Sequence, residues 1–367
     1  MKLSVCSILL SATSAFAAVS VSSPANNSTV PAPVHFAATA TTGCSTGVSS
    51  MGIYTAPYVL AYKVSGSSLN TNLSLAPGTY NTVVQEWDKC GGASKTAVTI
   101  TVSSGSTVPA SSHVFLVLEE NHSYSSVIGS SSMPYLNSLA SKYGLATQYY
   151  ANTHPSIGNY FMLTAGQIIT TNDSLCSTVT QDNIVRHLLT AGKTWKSYAE
   201  GLPSAGYTGC GSGYYVKRHN PLAYFSDVAN SSEKYNLVPF TRFATDLANN
   251  TLPSFSFIVP NLIHDAHDGS LSTADSWLKT NIAPLIASAT FQKDGILIIV
   301  FDESFDTDTA HGGGHVAAVV IGPKAKSGYK STILYQHQNT LKTVMKALGL
   351  TSFPGAASSA ASMSDFF

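Results

Sequence analysis

Acids, amides, alcohols and imidazoles gather in four clusters, each following an apolar run: Glu119-Glu120-Asn121-His122, His154-Pro155-Ser156, residues 261–268, and Asp302-Glu303. Two adjacent carboxylates at the end of an apolar strand repel each other and are poorly solvated unless a cation neutralises them. Asp302 and Glu303, with the carboxylate of Glu120 and the amide oxygen of Asn121, make a hard, oxygen-rich set suited to a divalent or trivalent metal ion. Ser156 precedes Ile157, Tyr160, Phe161 and Thr164, spaced as one face of a helix. A serine in that place ordinarily caps its helix. Beside a metal ion and the unpaired N–H groups of the first turn, its hydroxyl can instead attack a bound phosphate.

Two further segments supply imidazole and cationic chemistry. Residues 261–268 hold the pairs His264-Asp265 and His267-Asp268, and an Asp beside a His orients the ring or completes a metal shell. Lys217-Arg218-His219-Asn220-Pro221 offers donors for phosphate oxygens. Lys217, Arg218, His264 and Asp265 are therefore expected at the substrate. The run His311-Gly312-Gly313-Gly314-His315 has no assigned role at this stage; a flexible glycine turn is its simplest reading.

Strands must deliver these clusters to one place. Val114-Phe115-Leu116-Val117-Leu118 is continuously apolar, as in a strand buried on both faces of a largely parallel sheet, and similar runs occupy residues 145–151, 254–259, 295–301 and 316–321. Helical patterns at 133–143, 183–191, 272–289 and 338–348 alternate with them, predicting a layered α/β domain over residues 113–367. In an open sheet of this kind the carboxyl ends of the strands share one edge, so clusters far apart in sequence converge in one crevice.

The preceding part reads differently. Short alternating runs at 19–22, 34–38, 59–64, 80–86 and 96–102, separated by turn residues, predict a small β-sandwich over residues 18–102. A Ser/Gly/Pro-rich linker follows at 103–112. Lys2, an apolar stretch and Ala15-Phe16-Ala17 read as an export signal over residues 1–17, which implies a secreted or periplasmic product. Past the signal, which holds Cys6, four cysteines remain, two in each domain, and the expected disulfides are Cys44 with Cys90 and Cys176 with Cys210. No apolar run is long enough to cross a bilayer as a helix. Nineteen basic and nineteen acidic side chains cancel, so no long-range field gathers nucleic acid, and any phosphate specificity is local.

Taken together, Glu119-Glu120-Asn121-His122-Ser123-Tyr124, His154-Pro155-Ser156-Ile157-Gly158-Asn159-Tyr160, Lys217 to Pro221, Pro260-Asn261-Leu262 with His267-Asp268, and Phe301-Asp302-Glu303 resemble the phosphoesterase family of bacterial phospholipases C and acid phosphatases. Within it the chain looks most like short secreted acid phosphatases acting on phosphatidylinositol 3-phosphate and other monoesters. The resemblance implies an alkaline-phosphatase-like α/β fold with Glu120, Asn121, Ser156, Asp302 and Glu303 at one metal ion. It also implies a phosphoserine intermediate on Ser156, with His219, His267 and Asp268 binding phosphoryl oxygens or protonating the leaving alcohol and His154 assisting. The N-terminal pattern resembles bacterial immunoglobulin-like modules, which implies contact with a cell surface or polysaccharide. The partner of the hydrolytic domain is then a small phosphate ester or a phospholipid headgroup. A phospholipase C-type diesterase and a non-catalytic surface-binding protein remain the alternative readings.

Overall fold

The computed structural model describes residues 17–103 and 107–367. The expected export signal, apart from its last residue, and the middle of the expected linker lie outside these. The chain divides into two compact units, residues 1–105 and 106–367.

In the first unit eight strands form two sheets: β1 (Ala18–Ser23), β2 (Ser28–Val30), β3 (Val34–Thr41), β4 (Val48–Ala56), β5 (Val59–Ser65), β6 (Ser68–Leu73), β7 (Gly78–Asp88) and β8 (Ala93–Val102). Their orders are β1-β3-β6 and β2-β8-β7-β4-β5. Alternation drives the packing: Val34, Phe36, Ala38 and Ala40 of β3 are buried while their neighbours are not, and they meet Met51, Ile53, Val84 and Ile100 of the other sheet in one cluster. Sequence reasoning missed β2, β4 and β6. Cys44 and Cys90 are bonded across the turns at one end of this unit, with Cα atoms 5.9 Å apart.

The second unit is built on an eight-stranded mixed sheet. Its strands are β9 (Val114–Glu119), β10 (Gly144–Ala146), β11 (Trp195–Ala199), β12 (Leu237–Pro239), β13 (Phe255–Val259), β14 (Ile296–Phe301), β15 (Ala318–Ile321) and β16 (Tyr329–Ser331). They lie in the order β12-β11-β13-β9-β14-β15-β10-β16. Only β15 runs against the rest. Every residue of β9, β13 and β14 is buried, which accounts for their unbroken apolar sequences. The helices that matter below are α1 (Pro134–Lys142), α2 (Ile157–Ala165), α3 (Thr241–Ala248), α4 (Leu271–Ala287) and α5 (His337–Ala347). The strand expected over 145–151 ends at Ala146; beyond it the chain keeps only single bridges at Tyr149 and Tyr150. Among the described residues no helix is long and apolar enough to cross a membrane.

Candidate active site

β9 and β14 are parallel neighbours with Phe301 opposite Glu119, so Glu120-Asn121 and Asp302-Glu303 leave the sheet side by side. Asn121 turns through a positive φ of 41°, a conformation asparagine adopts more readily than most residues. Its N–H donates to Asp302 Oδ1 at 3.3 Å and its Nδ2 to Glu303 Oε1 at 3.1 Å.

Ser156 stands immediately before α2 and makes no capping bond to it. Its Oγ lies 2.9 Å from Glu303 Oε1, 3.1 Å from Glu120 Oε2 and 3.5 Å from Asn121 Oδ1. The helix finds its anion elsewhere: Asp173 Oδ1 accepts the Ile157 N–H at 3.1 Å. The side chain that ordinarily caps is thereby left free to face the acids.

Burial dominates the electrostatics. It raises Glu120 well above the usual carboxyl range, with the charges of Asp302 and Asp265 adding; it raises Asp302, helped by Glu303, and pushes Glu303 up to about 8. Asp302 Oδ2 is buried with no hydrogen-bond partner. Converging buried acids with an unpartnered oxygen are costly unless a cation sits among them, so these donors fit a hard metal ion. Glu120, His219 and His267 also bring one potential ligand atom each within 4.8 Å of one another, so two imidazoles border the carboxylates.

His219 is buried, its Nε2 3.4 Å from Glu120 Oε1 and its Nδ1 3.2 Å from Asp265 Oδ2. It stacks on Tyr160 at 5.1 Å, and the Tyr160 hydroxyl donates to Glu120 Oε1. Burial, then Arg218 and His267, hold the His219 imidazole well below its usual value, so the ring is neutral. His267 Nδ1 is 2.7 Å from Asp268 Oδ1, and its Nε2 is 3.5 Å from Arg218 Nη2. Arg218 Nε lies 3.8 Å from Asp173 Oδ2. Asp173 and Tyr160 escaped sequence reasoning as site residues. A disulfide partner three residues after Asp173 was the one hint that its loop is tied down.

Four more of the expected residues have partners within the protein. Lys217 is buried with its ammonium over the Tyr224 ring, donating at 2.8 Å to the carbonyl of Cys176, and so anchors the loop closed by the Cys176–Cys210 disulfide. Asp265 is buried too, its oxygens occupied by His219 and, at 2.8 Å, the His267 N–H; burial raises it to about 7. It holds the His219 ring and the His267 backbone in place. His264 is paired with Glu200 at 2.9 Å. His154 Nδ1 lies 2.8 Å from Glu303 Oε2, and its Nε2 is 3.0 Å from the Asp308 carbonyl.

The glycine run is a packed brace, not a flexible turn. Because β15 is reversed, the segment before it reaches the edge where the other strands end. Gly313 N–H donates to Ala151 O and Ala151 N–H to Gly314 O, which fixes the segment leading to Ser156. A side chain at Gly312 would meet Asn152 O, and one at Gly314 would meet Ser304 Oγ. His315 lies flat against Tyr124 at 4.3 Å and Tyr150 at 4.8 Å.

The chain is 35% identical over 250 residues to a phosphatidylinositol-3-phosphatase of Mycobacterium tuberculosis, covering 67% of this chain and 79% of that one. It is 32% identical over 251 residues to an acid phosphatase of Aspergillus fumigatus, covering 65% of this chain and 55% of that one. A solved Bacteroides thetaiotaomicron structure, described for the metabolism of multiple glycosaminoglycans, shares the fold with a TM-score of 0.51 at 10% identity over 70% of this chain and 82% of that one. Residues 130–351 match the phosphoesterase family, to which this chain belongs as a hydrolase of phosphate ester bonds.

Proposed function

We propose that the chain is a secreted, metal-dependent phosphomonoesterase of the acid-phosphatase type, with Ser156 as its nucleophile. The observation that carries this reading is the Ser156 hydroxyl: released from capping its helix, it faces Glu120, Asn121 and Glu303. A metal ion held by Glu120, Asn121, Asp302 and Glu303 would supply positive charge that lowers the hydroxyl's pKa and screens the phosphate.

The protein's own groups do the rest. Arg218 and His267, on the more open side of the cluster, bind the phosphoryl oxygens and orient phosphorus toward Ser156 Oγ. The Ser156 hydroxyl, its pKa lowered, gives its proton to solvent, and the O–P bond to its oxygen forms as the bond to the substrate alcohol breaks. The His267 ring, its Nδ1–H held by Asp268, passes a proton from Nε2 to the departing oxygen. Water then attacks the phosphoserine, giving its proton to the same imidazole and releasing inorganic phosphate, and the departing Ser156 oxygen takes a proton back from solvent. Asp265 and Tyr160 keep the neutral His219 ring in line, and His154 holds Glu303.

The names of the relatives support a phosphomonoester, a phosphoinositide headgroup included, as the substrate. The fold is read as alkaline-phosphatase-like, the N-terminal sandwich as an immunoglobulin-like module, and residues 1–17 as the export signal that two disulfides accompany. Hydrolysis of a soluble phosphomonoester measured against hydrolysis of phosphatidylcholine tests the assignment. A strong preference for the monoester is expected, and a preference for the diester overturns it.

A further inference from the structure

The five-stranded sheet of the N-terminal unit has an outward face that the core does not use. Lys63 of β5, Gly52 of β4, Gln85 of β7 and Lys95 of β8 are register partners, so they stand in one row across the sheet; Leu60, Tyr54, Val83 and Ala97 form the next row. The Trp87 ring and Leu60 close over Gly52, where an added methyl would meet Leu60 Cδ1 at 2.9 Å and the ring carbons at 3.0 Å. The Tyr54 ring is 6.3 Å from the Trp87 ring and the Lys63 ammonium 4.9 Å. At the tip of the β4–β5 hairpin Tyr58 is 100% exposed and holds a positive φ of 65°, a strained conformation for a bulky residue. Tyr54, Tyr58, Asn81, Gln85 and Lys95 line a cavity of about 460 Å³ on this face.

Charge narrows the occupant. Among described residues 17–103 the acids are Glu86 and Asp88. Glu86 is buried and accepts the Ser94 N–H, and Asp88 is taken up by Thr42, Cys90 and Gly92 at the disulfide turn. The face therefore presents two ammonium groups and no carboxylate. Flat aromatic rings match the C–H face of a sugar ring, side-chain amides match its hydroxyls, and lysines match acidic groups along a chain.

We propose that this face binds an anionic polysaccharide of the uronate class and holds the hydrolytic unit on it. The site is independent of the phosphatase mechanism. The test passes full-length protein at about 0.15 M salt over gels carrying alginate, polygalacturonate or neutral pullulan. Retention on a uronate gel and none on pullulan is expected. Tyr54→Ala with Tyr58→Ala, and separately Lys63→Gln with Lys95→Gln, should each weaken retention about tenfold. Hydrolysis of a soluble monoester should be unchanged in both pairs, and unchanged far-UV circular dichroism supplies the folding control without relying on catalysis. No retention on either uronate, as a protein partner would give, overturns the proposal. Equal retention on pullulan, or retention indifferent to the tyrosines, as plain ion exchange would give, does so too.

Discussion

Asp173 joins the two halves of the candidate site: one carboxylate oxygen accepts the Ile157 N–H at 3.1 Å and the other lies 3.8 Å from Arg218 Nε. The residue after the nucleophile and the cation that would grip the phosphate are thus held by one side chain. Asp173→Ala should lower kcat/KM for a monoester by about tenfold, equivalent to ~1.4 kcal/mol. Most of the loss is expected in KM, because Arg218 loses its anchor; steady-state kinetics measures it.

The glycine brace gives a steric prediction. A methyl on Gly313 would stand against the Thr153 carbonyl and 2.7 Å from Ala151 Cβ, in the segment that leads to Ser156. Gly313→Ala should cost about 1–3 kcal/mol of stability and displace the serine, so that activity falls further than the folded fraction does. Denaturant unfolding alongside kcat separates the two effects.

A structural ion cluster away from the site sets an acid limit on stability. Asp246 is buried, which acts to raise its pKa, yet bonds from Lys196, Tyr198 and Arg242 outweigh burial and hold it below 3.8. A depressed carboxyl stabilises the fold fully above its unfolded value and loses that contribution as pH falls through the folded value. Thermal midpoints should therefore drop below about pH 4 more steeply in wild type than in Asp246→Asn. The variant should be less stable at neutral pH by about 1–3 kcal/mol, since charged hydrogen bonds to Asp246 are lost while the cations stay partly solvated.

Metal loading has a readout besides activity. Chelator-treated protein should lose monoester hydrolysis, and a divalent cation at ~100 times its Kd should raise stability by about 2.7 kcal/mol. Asp302→Ala should remove most of that thermal shift, which differential scanning calorimetry records.

The sequence revealed what depends on unbroken patterns. β9 and β14 are apolar throughout because both faces are covered, and the acids that follow them sit where parallel neighbours end. It concealed what depends on direction. β4 was missed because Gly52 and the serines of Val48–Ala56 break the alternation, and nothing local says that Leu60 and Trp87 close over Gly52. The role of the glycine run was hidden because nothing local says that β15 is reversed. Lys217 and Arg218 look equivalent in sequence, yet one is buried against Tyr224 and the other meets Asp173 and His267; side-chain direction separates them. Asp173 carries no motif, and only the folded loop brings it to Ile157.

The account rests on Ser156 Oγ becoming bonded to phosphorus. Rapid acid quenching of the enzyme with a phosphate-labelled monoester, followed by peptide mapping, measures this directly. Label on the peptide containing Ser156, absent from Ser156→Ala together with turnover, is the predicted result. Undiminished turnover in Ser156→Ala, or label on another side chain, would contradict it.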